Sequence, residues 1–571
     1  MFSSLVRILT GLALLPAALS AQRDSASVVC TDELVSRIDI QPAPPPFSGA
    51  AKKWRAAAHT VGLHHATTDE WVVAAFLSLH VGLPCTEFRR SESERVLRAQ
   101  PFLSDARVRI VRDTGGTVAV VVTTTDEVPV LVTGRFRGVV PQYLSIGNEN
   151  IAGEALLVQL RAERGGAYRA GIGGRLEQNA FMGHPYRLII DGDRLRIGHR
   201  LSAEVEHPFF TDLQRISWHG GFVTRDDYLR FSRPARDPLA LQAFDRSWDV
   251  SSLWRLFGVH SVALIGAAIT GRDFDPAAQG LLVDSLGLMP DTGKTLTNRY
   301  TRFKATRLGV TGGLRRVTFR EVRGFDALVG SQDVASGALF GVFAAKGLSQ
   351  LGESDDFLSS ALYLGASSSN ALLAMLAQVE GRYDPVTQSW NSVIGSSRTA
   401  FYWGRAPGVV LVLSDEFSGG GTMSRLPLQL SFDTRDGGLM GYHNSALAGG
   451  RRNITRAEMR WSAESLLRGA DMGFATFTEV GTLWAGDAPY GVNATRANAG
   501  VSLLAAYPAH AKRMYRVDIA IPFTRGGEGA GRVEVRFSSA DRTQGFFTEP
   551  ADVARARTGI EPSRLFAWPT R

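Results

Sequence analysis

Four stretches carry residue types that could do chemistry. His64, His65 and Asp69 in LHHATTDE offer metal ligands, but they lack the i, i+4 histidine pair that brings two imidazoles to one helix face, and no third ligand is apparent. They are read as the approach to a helix, with no metal. Gly287–Thr295, GLMPDTGKT, looks like a phosphate-binding loop, yet its glycines stand one residue too far apart and no strand-to-helix order surrounds it. It is read as a turn between strands. His443 and Ser445 in HNS offer a base and a nucleophile, but near neighbours rarely face each other productively and no third member is visible. The fourth stretch holds Arg456, Glu458 and Arg460. In steps of two these share one face of a strand, while Thr455, Ala457, Met459 and Trp461 share the other. Its chemistry is the directional guanidinium–carboxylate pair, which fastens rather than reacts. No catalytic residue, metal or cofactor is assigned, and the chain is read as not an enzyme.

The elements that hold such a strand must suit both faces. The 571 residues are 44% hydrophobic with 60 glycines, a composition of neither a disordered chain nor a bundle of membrane-spanning helices. The net charge of +8 comes from arginines scattered among acids, which excludes nucleic acid as a partner. Residues 1–21, with Arg7, a short apolar run and small residues at Ala18 and Ser20, read as a cleaved signal peptide. After it no apolar run reaches the length of a membrane-spanning helix. Export without helical spans leaves a soluble exported protein or a transmembrane barrel. Cys30 and Cys85, the only two cysteines, are expected to form a disulfide in an oxidising compartment.

Two textures divide the chain. Residues 22–128 read as a small α+β unit: a strand at Leu34–Ala43, a helix over Thr67–Gly82, a second helix over Cys85–Gln100 capped by Thr86, then two strands joined at Gly115–Gly116. The second helix has few apolar positions (Phe88, Val96, Leu97) and is expected on a surface. Residues 129–548 alternate in segments of about ten residues, as in RLRIGHRLSAEVEHPFF and MYRVDIAIPF. Their polar face is repeatedly arginine beside glutamate, which suits a barrel lumen where charges pair, while the apolar face suits lipid. At roughly 25 residues per strand with its connection, an antiparallel transmembrane barrel of about 16 strands is expected. Residues 549–571 form a polar tail, expected as a short helix in the periplasm. Phe546 or Phe547 is the nearest aromatic to close the final strand.

The segment Arg89–Glu127, most of all LRAQPFLSDARV, resembles the POTRA domain. From Gly437 to Phe523 the chain is similar to the C-terminal barrel of the BamA/TamA family of bacterial surface antigens. In that family an Arg-Gly-Phe or Arg-Gly-Tyr loop folds into the lumen onto acids of the next two strands. Here the loop is Leu439-Met440-Gly441-Tyr442, Glu458–Arg460 stands for the family's Glu-x-Arg, and Phe477–Gly481 carries Glu479 at the aspartate position. Met440 replaces the expected arginine, so Arg435 or Arg460 is expected to substitute electrostatically, with Arg451 and Arg452 also near, and Tyr442 is expected inside the lumen. Arg323-Gly324-Phe325 is the literal motif without the right neighbours. It is read as an earlier strand end, the tucked loop being its alternative.

The resemblance implies an outer-membrane protein with a periplasmic N-terminal domain that aids insertion or translocation of proteins. It implies outer-membrane lipid, unfolded client proteins and periplasmic partners as what it meets. A passive or lipid-conducting pore, or a structural barrel that binds surface partners, are the alternatives.

Overall fold

The computed structural model describes residues 27–45, 66–137, 140–164, 170–234, 236–258, 261–284, 287–433, 437–443, 445–467, 469–524, 531–540 and 549–557. Residues 1–21, His64, His65, Arg435, Phe546 and Phe547 lie outside them.

In the N-terminal domain, β1 (Thr31–Ala43), β2 (Pro84–Thr86), β3 (Leu103–Arg112) and β4 (Val118–Asp126) form one sheet in the order β2-β1-β4-β3, with β1 and β4 parallel. Helices α1 (Glu70–Ala75) and α2 (Glu87–Arg98) cover it. Val72, Val73, Leu79, Val96, Leu97, Phe102, Ile110 and Val120 make the core. Cys30 and Cys85 are joined by a disulfide across this core. Two expectations are corrected. The first helix stops at Phe76, because Leu77 and Leu79 are both buried and the Ser78 amide donates to Ser93 Oγ at 2.9 Å, which draws the chain off the helical path. The second helix, capped by Thr86, is not a surface helix: Glu92, Ser93, Arg95, Val96 and Leu97 are buried. Its charged face is satisfied by the barrel instead of by water.

The wall of the barrel consists of β5 (Val130–Arg137), β6 (Val140–Ile151), β7 (Leu156–Glu163), β8 (Gly171–Gln178), β9 (Arg187–Leu195), β10 (His199–His207), β11 (Ile216–Arg233), β12 (Arg236–Phe257), β13 (Val262–Pro276) and β14 (Phe303–Arg323). It continues through β15 (Ser331–Gly347), β16 (Asp356–Ser367), β17 (Ala371–Asp384), β18 (Ser389–Gly404), β19 (Gly408–Gly421), β20 (Arg451–Leu467), β21 (Ala470–Trp484), β22 (Ala494–Ala506), β23 (Met514–Pro522) and β24 (Glu534–Ala540). Neighbours pair antiparallel throughout, and β24 closes on β5. A short hairpin, Leu281–Asp284 with Gly287–Pro290, hangs on the edge and contains the start of the phosphate-loop-like stretch.

The closed wall thus has 20 strands, not about 16. The assumed spacing was too generous at the start. Six strands occupy Val130–His207, where about 25 residues per strand would allow three. These strands are 8 to 12 residues long, with two to eight residues between one and the next.

The alternation sorts as its chemistry requires. Leu308, Val310, Leu314, Phe340, Val501 and Ile519 are exposed on the outside, and Trp254, Trp403 and Trp461 ring the mouth that carries the N-terminal domain. Arg307, Arg315, Glu380, Glu458, Arg460 and Arg516 point inward and are buried.

At the other, distal mouth, the long β19–β20 connection folds back into the lumen. Leu426, Leu428, Phe432, Leu439 and Tyr442 pack there against Phe231, Leu241, Phe274 and Phe303 of the wall. A third helix, α3 (Ala551–Ala556), completes that cluster with Val553 and Ala556. The tail therefore forms a short helix, but inside the barrel instead of in the periplasm. Arg452 Nη1 donates to Asp552 at 2.8 Å, Arg272 Nη1 donates to the Arg557 carbonyl at 2.6 Å, and Arg557 lies 3.5 Å from Glu380. Wall arginines and a small apolar face hold it jointly.

Candidate functional site

The charged strand of the sequence becomes the floor on which the folded-in loop rests. β20 turns Met459 and Trp461 outward, and buries Glu458 and Arg460. Pairing with β21 sets Arg456 directly opposite Glu479, and pairing with β22 sets Glu479 opposite Asn498. Arg456 Nη1 donates to Glu479 at 2.6 Å and its Nη2 to Glu458 at 2.5 Å, with its guanidinium 4.2 Å from the Phe477 ring centre. Glu458 also accepts from Arg516 Nη1 and Nη2 at 2.8 and 2.9 Å and from Arg460 Nε at 2.5 Å. One carboxylate thus serves three guanidiniums from two strands. A carboxylate so paired holds strand positions relative to one another, and removing one member strands the rest in a poorly solvated site.

The loop docks on this floor through its backbone. Met440 N donates to Glu479 at 3.2 Å, Gly441 N donates to Glu534 at 2.8 Å, and Asn498 Nδ2 donates to the Met440 carbonyl at 2.7 Å. Gly441 has φ of +88°, and a Cβ there would meet the Arg532 carbonyl at 3.0 Å, so glycine alone fits the turn without strain. The Met440 side chain packs on Phe477 and Ala520. Tyr442 is buried and donates from its hydroxyl to the Ala497 carbonyl at 2.8 Å. Leu439 is buried in the distal cluster.

The residues of the motif and its floor (Leu439 to Tyr442, Glu458, Arg460 and Glu479) are thus brought together. Arg460 binds Glu458, and among the described residues no side chain takes the place of an arginine at 440. Instead the main chain meets the acids, and Arg456 and Arg516 neutralise them. Arg456, Arg516, Asn498 and Glu534 complete the site and were not among the expected partners. Arg456 was legible only with the register that sets it against Glu479. Arg451 is exposed, whereas Arg452 is buried on the tail helix.

The second loop enters from the domain-side mouth. β14 ends at Arg323, and Gly324 (φ +85°) turns the chain inward, where a Cβ would lie 2.3 Å from Ala406 Cβ. The Phe325 carbonyl accepts from Arg460 Nη1 at 2.5 Å, and Asp326 accepts from the Tyr402 hydroxyl at 2.9 Å. Loops from both mouths therefore meet on the Arg456–Arg460 segment of β20.

Other candidates are placed elsewhere. His443 approaches Asp433 at 3.6 Å, and Ser445 Oγ accepts from the Leu447 amide at 3.2 Å, so each is turned to its own partner. Among the described residues, no group of three His, Cys, Asp or Glu side chains could hold a metal ion.

The N-terminal domain is fastened to the mouth by α2. Arg98 pairs with Asp333 at 2.8 Å, Arg95 donates to the Phe210 carbonyl at 2.6 Å, and Lys512 Nζ donates to the Arg98 and Gln100 carbonyls at 2.5 Å. The free edge of β3 is already engaged: Val108 N donates to Glu94 at 2.9 Å, its carbonyl accepts from Arg90, and the Ile110 carbonyl accepts from the Val28 amide.

Two features mark the side where the wall closes. β24 and β5 pair over five positions, Glu534–Arg137 through Ser538–Thr133, with Ser539 bridging to Val132. Beyond that seam the lumen face of β7 to β9 is half-buried: Arg161 binds Asp191 and Asp193 at 2.5 and 2.7 Å, and Arg175 binds Glu177 at 2.6 Å.

No protein-family model and no curated protein matches the chain. Among solved structures it is similar to BamA from Haemophilus ducreyi lacking POTRA domains 1–3, with 11% identity, 89% of this chain and 85% of that chain covered, and a TM-score of 0.33. It is also similar to CdiB from Escherichia coli (11% identity, 89% and 77% covered, TM-score 0.41). A third is BauA, the ferric preacinetobactin receptor of Acinetobacter baumannii (10% identity, 77% and 85% covered, TM-score 0.36). At these scores they decide nothing between one kind of large barrel and another.

Proposed function

We propose that this is an outer-membrane barrel of the BamA/TamA kind that helps proteins insert into or cross that membrane, with no covalent chemistry. The observation that carries the reading is the short β24–β5 seam, with the half-buried, charged lumen face of β7 to β9 two strands beyond it. Among the described residues five paired positions hold the wall shut, against seven at β23–β24, eight at β5–β6 and seventeen at β11–β12. A net hydrogen bond is worth only about 0.5–1.5 kcal/mol, while an unpaired backbone group in hydrocarbon costs several. An incoming strand that pairs at this seam would satisfy its own backbone before meeting lipid. The POTRA-like domain then serves to hold the mouth instead of adding client strands at β3, since that edge is occupied.

The test is refolding of urea-unfolded barrel proteins in liposomes with and without the purified protein. Faster client folding is expected, and a covalent cross-link between cysteines placed at Phe537 and Gly134 should abolish the gain. Equal rates with and without the protein for several clients, together with steady ion conductance, would favour a pore running along the Arg161–Asp191 face.

A further inference from the structure

Adjacent residues of β14 meet opposite fates. Arg315 points into the lumen and is buried against Asp212, whereas Arg316 points outward with Leu314 and Thr318 and is exposed. Among the described residues Arg316 has no carboxylate within ion-pair distance and no hydrogen-bond acceptor. An unpaired guanidinium next to Leu314, Val310 and Leu308 on the same face, with Arg320 beyond Thr318 nearer the strand end, calls for a counter-charge from the surroundings.

The surface beside it is shaped to receive a chain. Register places Arg316 opposite Ala338, Ala338 opposite Leu364, Leu364 opposite Met375, and Met375 opposite Thr399. Small residues in this row and the next (Ser336, Gly337, Gly365, Ala366) leave a groove of about 680 Å³, flanked by Leu364, Leu373 and Met375. The groove lies just above the turn at Ser368–Asn370, at the end of the barrel that carries the N-terminal domain, and exposed Trp403 on β18 marks the interface beneath. An apolar channel with one cation at its rim matches an acyl chain joined to a phosphate.

We propose that this groove binds one glycerophospholipid of the domain-side leaflet, its phosphate on Arg316 and an acyl chain over Ala338, Ala366 and Met375. The groove lies on the wall across from the β24–β5 seam, so the site rests on the barrel being embedded in a membrane and not on client insertion. Binding there would anchor the wall that the moving seam works against.

The test is native mass spectrometry of the full chain in detergent, titrated with dioleoylphosphatidylglycerol. Arg316→Gln is expected to weaken retention of one lipid about tenfold, since it removes a charge-assisted contact. Ala338→Phe, which fills the groove and leaves the charge, is expected to do the same. Val501→Ala, on another part of the outer wall, should change nothing. All three should keep the heat-modifiable mobility of a folded barrel. Dioleoylglycerol, which lacks phosphate, and inorganic phosphate, which lacks a chain, should each bind far more weakly. Wild-type retention in both groove variants, equal binding of dioleoylglycerol, or preferential binding of lipid A from the opposite leaflet would each overturn the site. A chain that gives no protease-protected barrel in liposomes would overturn the membrane reading with it. A protected barrel that retains no phospholipid removes the site alone.

Discussion

Asn498 donates from Nδ2 to the main-chain carbonyl of Met440 at 2.7 Å and also to the carboxylate of Glu479 at 2.7 Å. A side chain on the wall thus grips the backbone of the loop, where the sequence resemblance implied an arginine of the loop gripping the wall. The identity of residue 440 then matters through packing on Phe477, not through charge. Asn498→Ala should therefore release the loop, at a cost of about 1–3 kcal/mol for the buried acceptors it leaves. Met440→Leu should cost less than about 1.5 kcal/mol, being a volume-conserving swap. Urea titration of the heat-modifiable band, with protease cleavage of the Thr422–Gly450 connection as the local probe, checks both. Equal effects of the two substitutions would show that the backbone grip is unimportant.

Removing residues 549–571 should open the distal half of the lumen. The tail helix buries Val553 and Ala556 in the apolar cluster and ties Asp552 to Arg452. Val553→Asp, which sets a charge among Leu and Phe side chains, should expel the helix without shortening the chain. Single-channel conductance in planar bilayers is expected to rise several-fold in both variants. Unchanged conductance would mean that the folded-in loop alone closes the distal mouth.

Why the tail was misplaced, and the strand alternation was not, follows from range. Alternation is a local property: Arg456, Glu458 and Arg460 must share a face whatever the rest of the chain does. ADVARA offers two small apolar positions, too few to distinguish a lumen helix from one in water, and its partners Arg452, Arg272 and Glu380 lie far away in sequence. The strand count failed for a related reason. The short strands and connections of β5 to β10 carry weak signals, so average spacing stood in for them. The motif of the loop was legible, but its fastening was not, because Glu479, Asn498 and Arg456 align only once register is known.

The Cys30–Cys85 disulfide closes a separation of 55 residues, a loop whose closure in the unfolded chain corresponds to about 4 kcal/mol in the chain-entropy account. Cys30→Ser with Cys85→Ser should lower the stability of the N-terminal domain by that order, and dithiothreitol should act alike on the native protein. Calorimetry should show the domain transition moving down while the barrel transition stays in place. A barrel transition that moves equally would mean that the two unfold as one unit.

Glu127, at the joint between β4 and the first barrel strand, tests how the domain is held. Burial pushes its carboxyl up from the ordinary glutamate range, against the opposing pull of Arg513 and Lys512 from the loop before β23. Arg513 also pairs with Glu149, so its charge is shared. An acid whose folded pKa is raised contributes stability that is fully present below its ordinary value and is lost as pH rises through the raised one. Attachment of the domain should therefore strengthen as pH falls from 7 towards 5. Glu127→Gln, a permanent neutral mimic, should be more stable than wild type at pH 7 and should show little change over that window. Thermal unfolding of the domain followed from pH 5 to 7.5 measures this. A Glu127→Gln protein that is weaker than wild type at pH 7 would show that the ionised carboxylate, held by the Arg513 and Val128 amides, is the form that fastens the joint.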